Sequence, residues 1–176
     1  MTITNGYATL ADVKAALRIN DNIDDSLIET AIEAASREID GHTERYFYNS
    51  GTATRVFIPS DAFLTEIDDA ISITQIETSS DGVQFDTVWD LNSDVQLEPL
   101  NGRVGGLEVP YQRLRAIGDY LFPIWDVKNV NSYEATVRVT GTWGWSAIPQ
   151  AIKQATILYA ARQYKRSDAP LGAAGF

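Results

Sequence analysis

The chain contains no cysteine, one histidine, one methionine, and no apolar run near the roughly 20 residues needed to span a bilayer. Without cysteine, disulfides and thiolate metal sites are excluded, and folding in a reducing compartment is favoured. A single histidine leaves no Ser–His–Asp arrangement to build, there is no G-x-S-x-G elbow, and zinc has no ligand set. No basic stretch followed by an apolar segment opens the chain, so no secretory signal is expected. Positive charge is scarce too: 14 basic residues stand against 24 acidic ones, for a net charge of −10. That balance works against gripping a phosphate backbone, which needs clustered Lys and Arg, and it would repel DNA from any surface it lined.

What is present suffices for a core. The 176 residues are 44% hydrophobic and 10% aromatic, as expected for one compact domain or one domain with a large insertion. Charge is uneven along the chain. Residues 1–145 carry 23 acids and 10 bases, net −13, whereas residues 146–176 carry four bases and one acid, net +3.

Thr9-Leu10-Ala11-Asp12 has the form of a capping box with Asp in place of Glu, and predicts a helix from about Leu10 to Arg18. Asp24 or Asp25 then caps a second helix. Its apolar residues Leu27, Ile28, Ala31, Ile32, Ala35 and Ile39 recur near every 3.5 positions, Glu29, Glu33 and Glu38 lie off that stripe, and Gly41 is the expected stop. From Thr52 the period drops to two. Strands are predicted at Thr54–Ile58, Ile71–Ile76, Val95–Glu98, Gly106–Val109 and Tyr133–Thr142, with Ser80-Asp81-Gly82 turning a hairpin into Val83–Trp89. Residues 101–106 and 121–131 read as loops. Pro149 suits the first turn of a last helix running to about Tyr164, with Ile152, Ala155, Thr156 and Tyr159 along one face and Ala151, Ala155 and Ala160 as a second row.

The fold class is therefore α+β. Residues 1–50 form an N-terminal helical part, 51–145 a β-rich insertion, 146–166 a helix packing on the first two, and 167–176 an extended tail. The tail has too few large apolar groups to fold alone, so it is expected to lie in a groove of another chain or fold back on its own. Lys165, Arg166 and Asp168 supply its charge, with Pro170 beside them and Leu171 and Phe176 as anchors.

Chemistry is sparse. His42, near the end of the second helix, reads as a capping or surface residue. Asp81, Asp86, Asp90 and Asp94 lack the alternate spacing and closing Glu of a calcium loop, and Asp68 and Asp69 point apart on regular structure. No catalytic, cofactor-binding or metal-binding residues are assigned. The junction Trp143-Gly144-Trp145, followed by Pro149, is both sharply bent and heavily anchored. It could line a binding groove or fix the angle between two parts, and the two tryptophans serve either as core of this chain or as contacts between subunits.

Two stretches resemble a known family, the head-to-tail connector (adaptor, or head-completion) proteins of tailed bacteriophages. One is Tyr7-Ala-Thr-Leu-Ala-Asp-Val-Lys-Ala-Ala-Leu-Arg-Ile19 with its acidic turn and Leu27–Ala35. The other is Val139-Thr-Gly-Thr-Trp-Gly-Trp-Ser-Ala-Ile-Pro149, running on to Lys165-Arg-Ser-Asp-Ala-Pro-Leu-Gly172. The second is similar to adaptors from phages of actinobacteria in particular. The resemblance implies a non-enzymatic ring subunit in the virion neck, assembled in the host cytoplasm and needing no cofactor or membrane. Its partners would be the portal protein, the next neck protein (a head-to-tail stopper) or a tail component, and further copies of itself, most simply twelve. Leu27, Ile28, Ala31, Ile32, Ala35 and Ile39 would then lie on the helices that carry subunit contacts. Glu29, Glu33 and Glu38 would be candidates to line a channel that double-stranded DNA slides through, and the segment from Lys165 to Phe176 would dock on the portal. The alternative is a free-standing β-sandwich module binding carbohydrate on Trp143 and Trp145; an acidic hydrolase ranks third.

Overall fold

The computed structural model describes residues 3–124 and 134–168. Helices α1 (Leu10–Leu17), α2 (Asp25–Thr43) and α3 (Gln150–Asp168) flank eight strands in the middle of the chain. The fold class is α+β, as expected. Two compact units divide the chain: residues 1–48 with 147–176, and residues 49–146.

In the helical unit, α1 starts where the sequence predicts. The Thr9 hydroxyl accepts from the Asp12 N–H at 3.2 Å, and Asp12 accepts from the Thr9 N–H at 3.0 Å. Two of the helix's orphan donors are thereby satisfied. The end of α2 differs from expectation. Gly41 does not stop it; the helix runs on to Thr43, whose hydroxyl bonds the Ile39 carbonyl at 2.8 Å, and Glu44 takes the left-handed conformation that ends it. A lone exposed glycine weakens a helix by only about 1 kcal/mol, which buried Ile39 and Asp40 beside it outweigh. Asp24 sits at the N-cap position without a capping bond, because its carboxylate instead accepts the Tyr164 hydroxyl of α3 at 2.7 Å. Val13, Ile28, Ala31, Ile32, Ala35, Ile157 and Ala160 form the core.

The β unit is an antiparallel sheet in the order β1-β8-β2-β7-β4, with β3 pairing β2. The strands are β1 (Asn49–Phe57), β2 (Leu64–Thr78), β3 (Thr87–Trp89), β4 (Val95–Glu98), β7 (Tyr111–Ala116) and β8 (Val137–Gly144). A separate two-stranded sheet joins β5 (Arg103–Val104) to β6 (Leu107–Glu108). Residues 101–106, expected as a loop, thus contain half a hairpin. Gly105 and Gly106 both have positive φ, the turn geometry that matches strand twist. Strand β3 is shorter than the expected Val83–Trp89, because Asp81 draws the chain into a turn by accepting from the Val83 and Gln84 amides at 2.8 and 2.9 Å. Strand β8 begins at Val137; the expected start at Tyr133 lies outside the described residues, as does most of 121–131.

Strand β8 lies between β1 and β2 and buries Val137, Val139, Gly141 and Trp143 on alternate positions. Gly141 is required by close approach, not by a turn. A Cβ there would come 2.4 Å from the Ser72 carbonyl oxygen of β2. Gly144, with φ +99, is the glycine that turns the chain.

Candidate assembly surfaces

The long apolar stripe of α2 faces inward. Ile28, Ala31, Ile32, Ala35 and Ile39 are buried in the chain's own helical unit, which leaves them no surface for another subunit. The periodicity located a buried face correctly, but that face is covered from within. Leu27 alone of the six points outward, at 41% exposed, beside Ile23 in the α1–α2 turn at 85%.

The acidic row gives way as well. At about 100° per residue, the nine positions from Glu29 to Glu38 turn the helix through roughly 180°, so the three glutamates do not share a face. Glu29 and Glu33 are half-buried, and Glu33 accepts the Thr4 amide. Exposed Glu38 shares a cleft of about 370 Å³ with Tyr159, Arg162, Gln163 and Arg166 of α3. Two guanidinium groups there offset its charge.

The inner face of α3 is Thr156, Ile157, Ala160 and half-buried Tyr164, one residue out of phase with the face expected from sequence. Tyr159 and Ala151 therefore lie outside the core; Leu158 is 70% exposed and Tyr159 48%. Lys165, Arg166 and Asp168, expected in an extended tail, belong to α3 itself. Pro170, Leu171 and Phe176 lie outside the described residues.

Most of the cations are paired within the chain. Lys14 meets Asp25 at 2.6 Å, Arg55 meets Asp68 at 2.6 Å, Arg115 meets Glu98 at 2.5 Å, Arg138 meets Glu77 at 2.7 Å, and Lys153 meets Asp12 at 2.9 Å. Arg162 and Arg166 make no ion pair among the described residues. In a protein with ten more acids than bases, two arginines one helical turn apart share a cleft with Glu38 yet bond no carboxylate among the described residues. Sequence reasoning noted the positive end of the chain; it could not show which cations stay unpaired.

The Trp junction divides by function. Trp143 is fully buried, its indole N–H bonds the Ala53 carbonyl at 2.8 Å, and the Arg55 guanidinium lies 4.5 Å from its ring centroid. It belongs to the core of the β unit and offers no platform to a sugar. Half-buried Trp145 donates to Asp69 at 2.7 Å, and that carboxylate also accepts from Gln112 at 3.1 Å. Trp145 edges a cleft of about 400 Å³ walled by Ile71, Arg103, Glu108 and Tyr111. Pro149 immediately precedes α3, and its carbonyl accepts the Lys153 amide at 3.0 Å.

Sequence reasoning missed the polar cluster at Tyr7. Its hydroxyl donates to Asp40 and accepts the Phe47 amide at 2.9 Å, while its own amide bonds the Ser36 hydroxyl at 3.1 Å. Burial first, and the Asp40 bond second, push the phenol well above its ordinary range. His42 lies exposed in the last turn of α2. Among the described residues no three His, Asp or Glu side chains gather as a metal site, and no helix is long and apolar enough to cross a membrane.

Residues 7–84, which hold α1, α2, β1 and β2, match the family described as phage gp6-like head-tail connector protein. The head-to-tail connector resemblance read from the sequence is shown on those residues. A chain of a solved structure described as "Neck of empty GTA particle computed with C6 symmetry" shares the fold. The TM-score is 0.57 at 20% identity, covering 100% of this chain and 87% of that one. No curated protein matches. The family match thus covers under half of the chain, and the neck chain shows a shared fold.

Proposed function

We propose that the chain is a non-enzymatic ring subunit that joins the portal to the tail and continues the channel for DNA. The observation that carries this is the connector-family match on α1, α2 and the first strands, in a chain whose whole length follows the fold of a particle-neck protein. A ring below a twelvefold portal most simply has twelve copies joined by heterologous contacts, and sixfold averaging is compatible with that number because sixfold symmetry is contained in twelvefold. The net charge of −10 suits a passage through which phosphate slides without sticking. The positive end of α3, from Lys165 on through the segment to Phe176, is the part assigned to portal docking. The next neck protein, or a tail component, binds the opposite side of the ring.

The test is add-back to portal-capped heads that lack this chain. Full-length protein is expected to bind at the portal vertex and permit tail joining, and the chain truncated after Asp168 to bind at least tenfold more weakly. Binding elsewhere on the head ends the neck assignment. Undiminished binding of the truncated chain ends the docking assignment alone.

A further inference from the structure

The outer side of α3 is unlike the rest of the helical unit. Leu158 and Tyr159 are exposed there, next to Arg162 and Arg166, which have no ion pair among the described residues and which wall a cleft with Glu38. Arginine and tyrosine beside an exposed aliphatic side chain is the composition of a protein-binding hot spot, not of a site for phosphate alone. The C-terminal half of a helix also presents the negative end of its dipole, which disfavours an anion lacking other contacts. An acidic protein surface with an apolar centre is the matching partner.

The same unit displays a smaller match, with one exposed carboxylate beside exposed apolar side chains. The α1–α2 turn carries Ile23 at 85% exposed and Leu27 at 41%, next to exposed Asp21. Lys14 reaches into this turn to bond Asn22 at 2.8 Å and Asp25 at 2.6 Å, so the loop is held in one shape. At about 100° per residue, Arg162 and Arg166 each lie roughly 160° around α3 from Tyr164. Tyr164 reaches Asp24 at the start of α2, whereas Arg162 and Arg166 lie on the other side of α3 near Glu38. Asp24 and Glu38 are 14 positions apart, about 21 Å along α2.

We infer that the outer face of α3 (Leu158, Tyr159, Arg162, Arg166) binds the α1–α2 turn (Asp21, Ile23, Leu27) of a second copy of this chain. The two surfaces are distinct and complementary in charge and apolarity. One copy therefore offers each neighbour a different patch, and the contact is heterologous and propagates until a ring closes. This rests on the ring reading above and names the surfaces that would build the ring.

The absence of native cysteine makes the test clean. The variant combining Ile23→Cys with Leu158→Cys is oxidised, both as the free full chain at high concentration and on portal-capped heads. A ladder of trimers and higher multimers is expected, with the Ile23→Cys and Leu158→Cys single variants giving dimers at most. A double variant that stops at dimers in both settings, or forms no cross-link in either, overturns the contact. Separately, Arg162→Glu with Arg166→Glu is expected to weaken self-association at least tenfold, and adding Asp21→Arg to restore a part of it. Both arginines are exposed and unpaired, so the reversal leaves the fold intact by circular dichroism. Unchanged association in the reversed variant also overturns the proposal. Because cross-linking is read on the free chain as well, failure to bind heads would remove the neck assignment and leave this contact separately readable.

Discussion

Trp143, Trp89, Phe122 and half-buried Phe57 fill the core of the β unit, whereas Val13, Ile28, Ile32, Ile157 and four alanines fill that of the helical unit. In the first, rings interlock: Trp89 stacks on Phe122 with centroids 4.8 Å apart, and Trp143 meets Phe57 at 5.6 Å. In the second, small aliphatic groups bring helices close and a polar cluster at Tyr7 fixes where the chain leaves α2. The difference follows from the elements. Sheet faces offer broad surfaces that need large side chains to cover them, while a helix pair with alanine at its contact packs without them. It also bears on assembly. Both units expose apolar side chains, but the β unit pairs each of its arginines with a carboxylate, whereas Arg162 and Arg166 of the helical unit make no ion pair among the described residues.

The strongest way to separate the two units is Trp143→Ala. Loss of the ring and of its bond to Ala53 is expected to cost about 3–5 kcal/mol. In denaturant titration the near-ultraviolet tryptophan signal should be lost well before the helical signal at 222 nm. If both fall together with an unchanged midpoint, the ring is not the centre of this core. Tyr7→Phe probes the other unit. It removes the hydroxyl that donates to buried Asp40 and accepts the Phe47 amide, and is expected to cost about 1–3 kcal/mol, lost from the helical transition. The raised phenol of Tyr7 has a pH signature. A group whose folded-state pKa lies above its unfolded value loses stability as pH rises from the ordinary tyrosine range towards the raised one. Alkaline unfolding should therefore be flatter in Tyr7→Phe than in the native chain.

Asp12→Ala should have a smaller effect. It removes half a capping box and the Lys153 pair, and about 1 kcal/mol is expected at neutral pH. The Thr9 hydroxyl, then Lys153, hold the Asp12 carboxyl down at about 2. A depressed folded-state pKa stabilises above the unfolded value and loses that contribution as pH falls through the folded one. The gap between native and Asp12→Ala chains should thus close between about pH 4 and pH 2. A gap that persists at pH 2 means the effect lies in packing. Smallest is Arg138→Met, which removes a bidentate pair with Glu77 at 2.7 and 2.8 Å on the β unit. Arg138 is a third exposed, so no more than about 1 kcal/mol is expected, falling further in salt.

The sequence announced α1 and its box, and strand β4 to the residue, because those signals are local: a hydroxyl three positions from a carboxylate, or apolar residues at alternate positions. It did not announce β7. Tyr111–Ala116 turns only Leu114 and Ala116 to the core, and its arginines read as solvent-facing until Glu98 on β4 is found opposite Arg113. Of the β5–β6 hairpin, β6 falls within the expected strand Gly106–Val109, whereas β5 escaped because a two-residue strand has no period to detect. The site fared differently. Five of the six residues of the α2 stripe were placed by their spacing on the buried face, with Leu27 exposed and polar Ser36 and Asp40 joining them, yet spacing could not say whether the cover came from within the chain or from another subunit. The exposed pair Ile23 and Leu27 and the phase of α3 needed the packed helices.

By itself, the sequence determined the change of period from helix to strand and back, the acidic excess and its reversal near the end, and the impossibility of thiol chemistry. Those depend on composition and on neighbours within one or two turns of chain. Only the tertiary structure decided that Trp143 is core, that Glu38 sits beside two arginines, and that Arg162 and Arg166 make no ion pair among the described residues. Burial and charge pairing are set by residues distant along the chain: Trp143 meets Ala53 across 90 positions, and Tyr164 meets Asp24 across 140. Such contacts leave no local signal, because each partner alone is only an ordinary side chain.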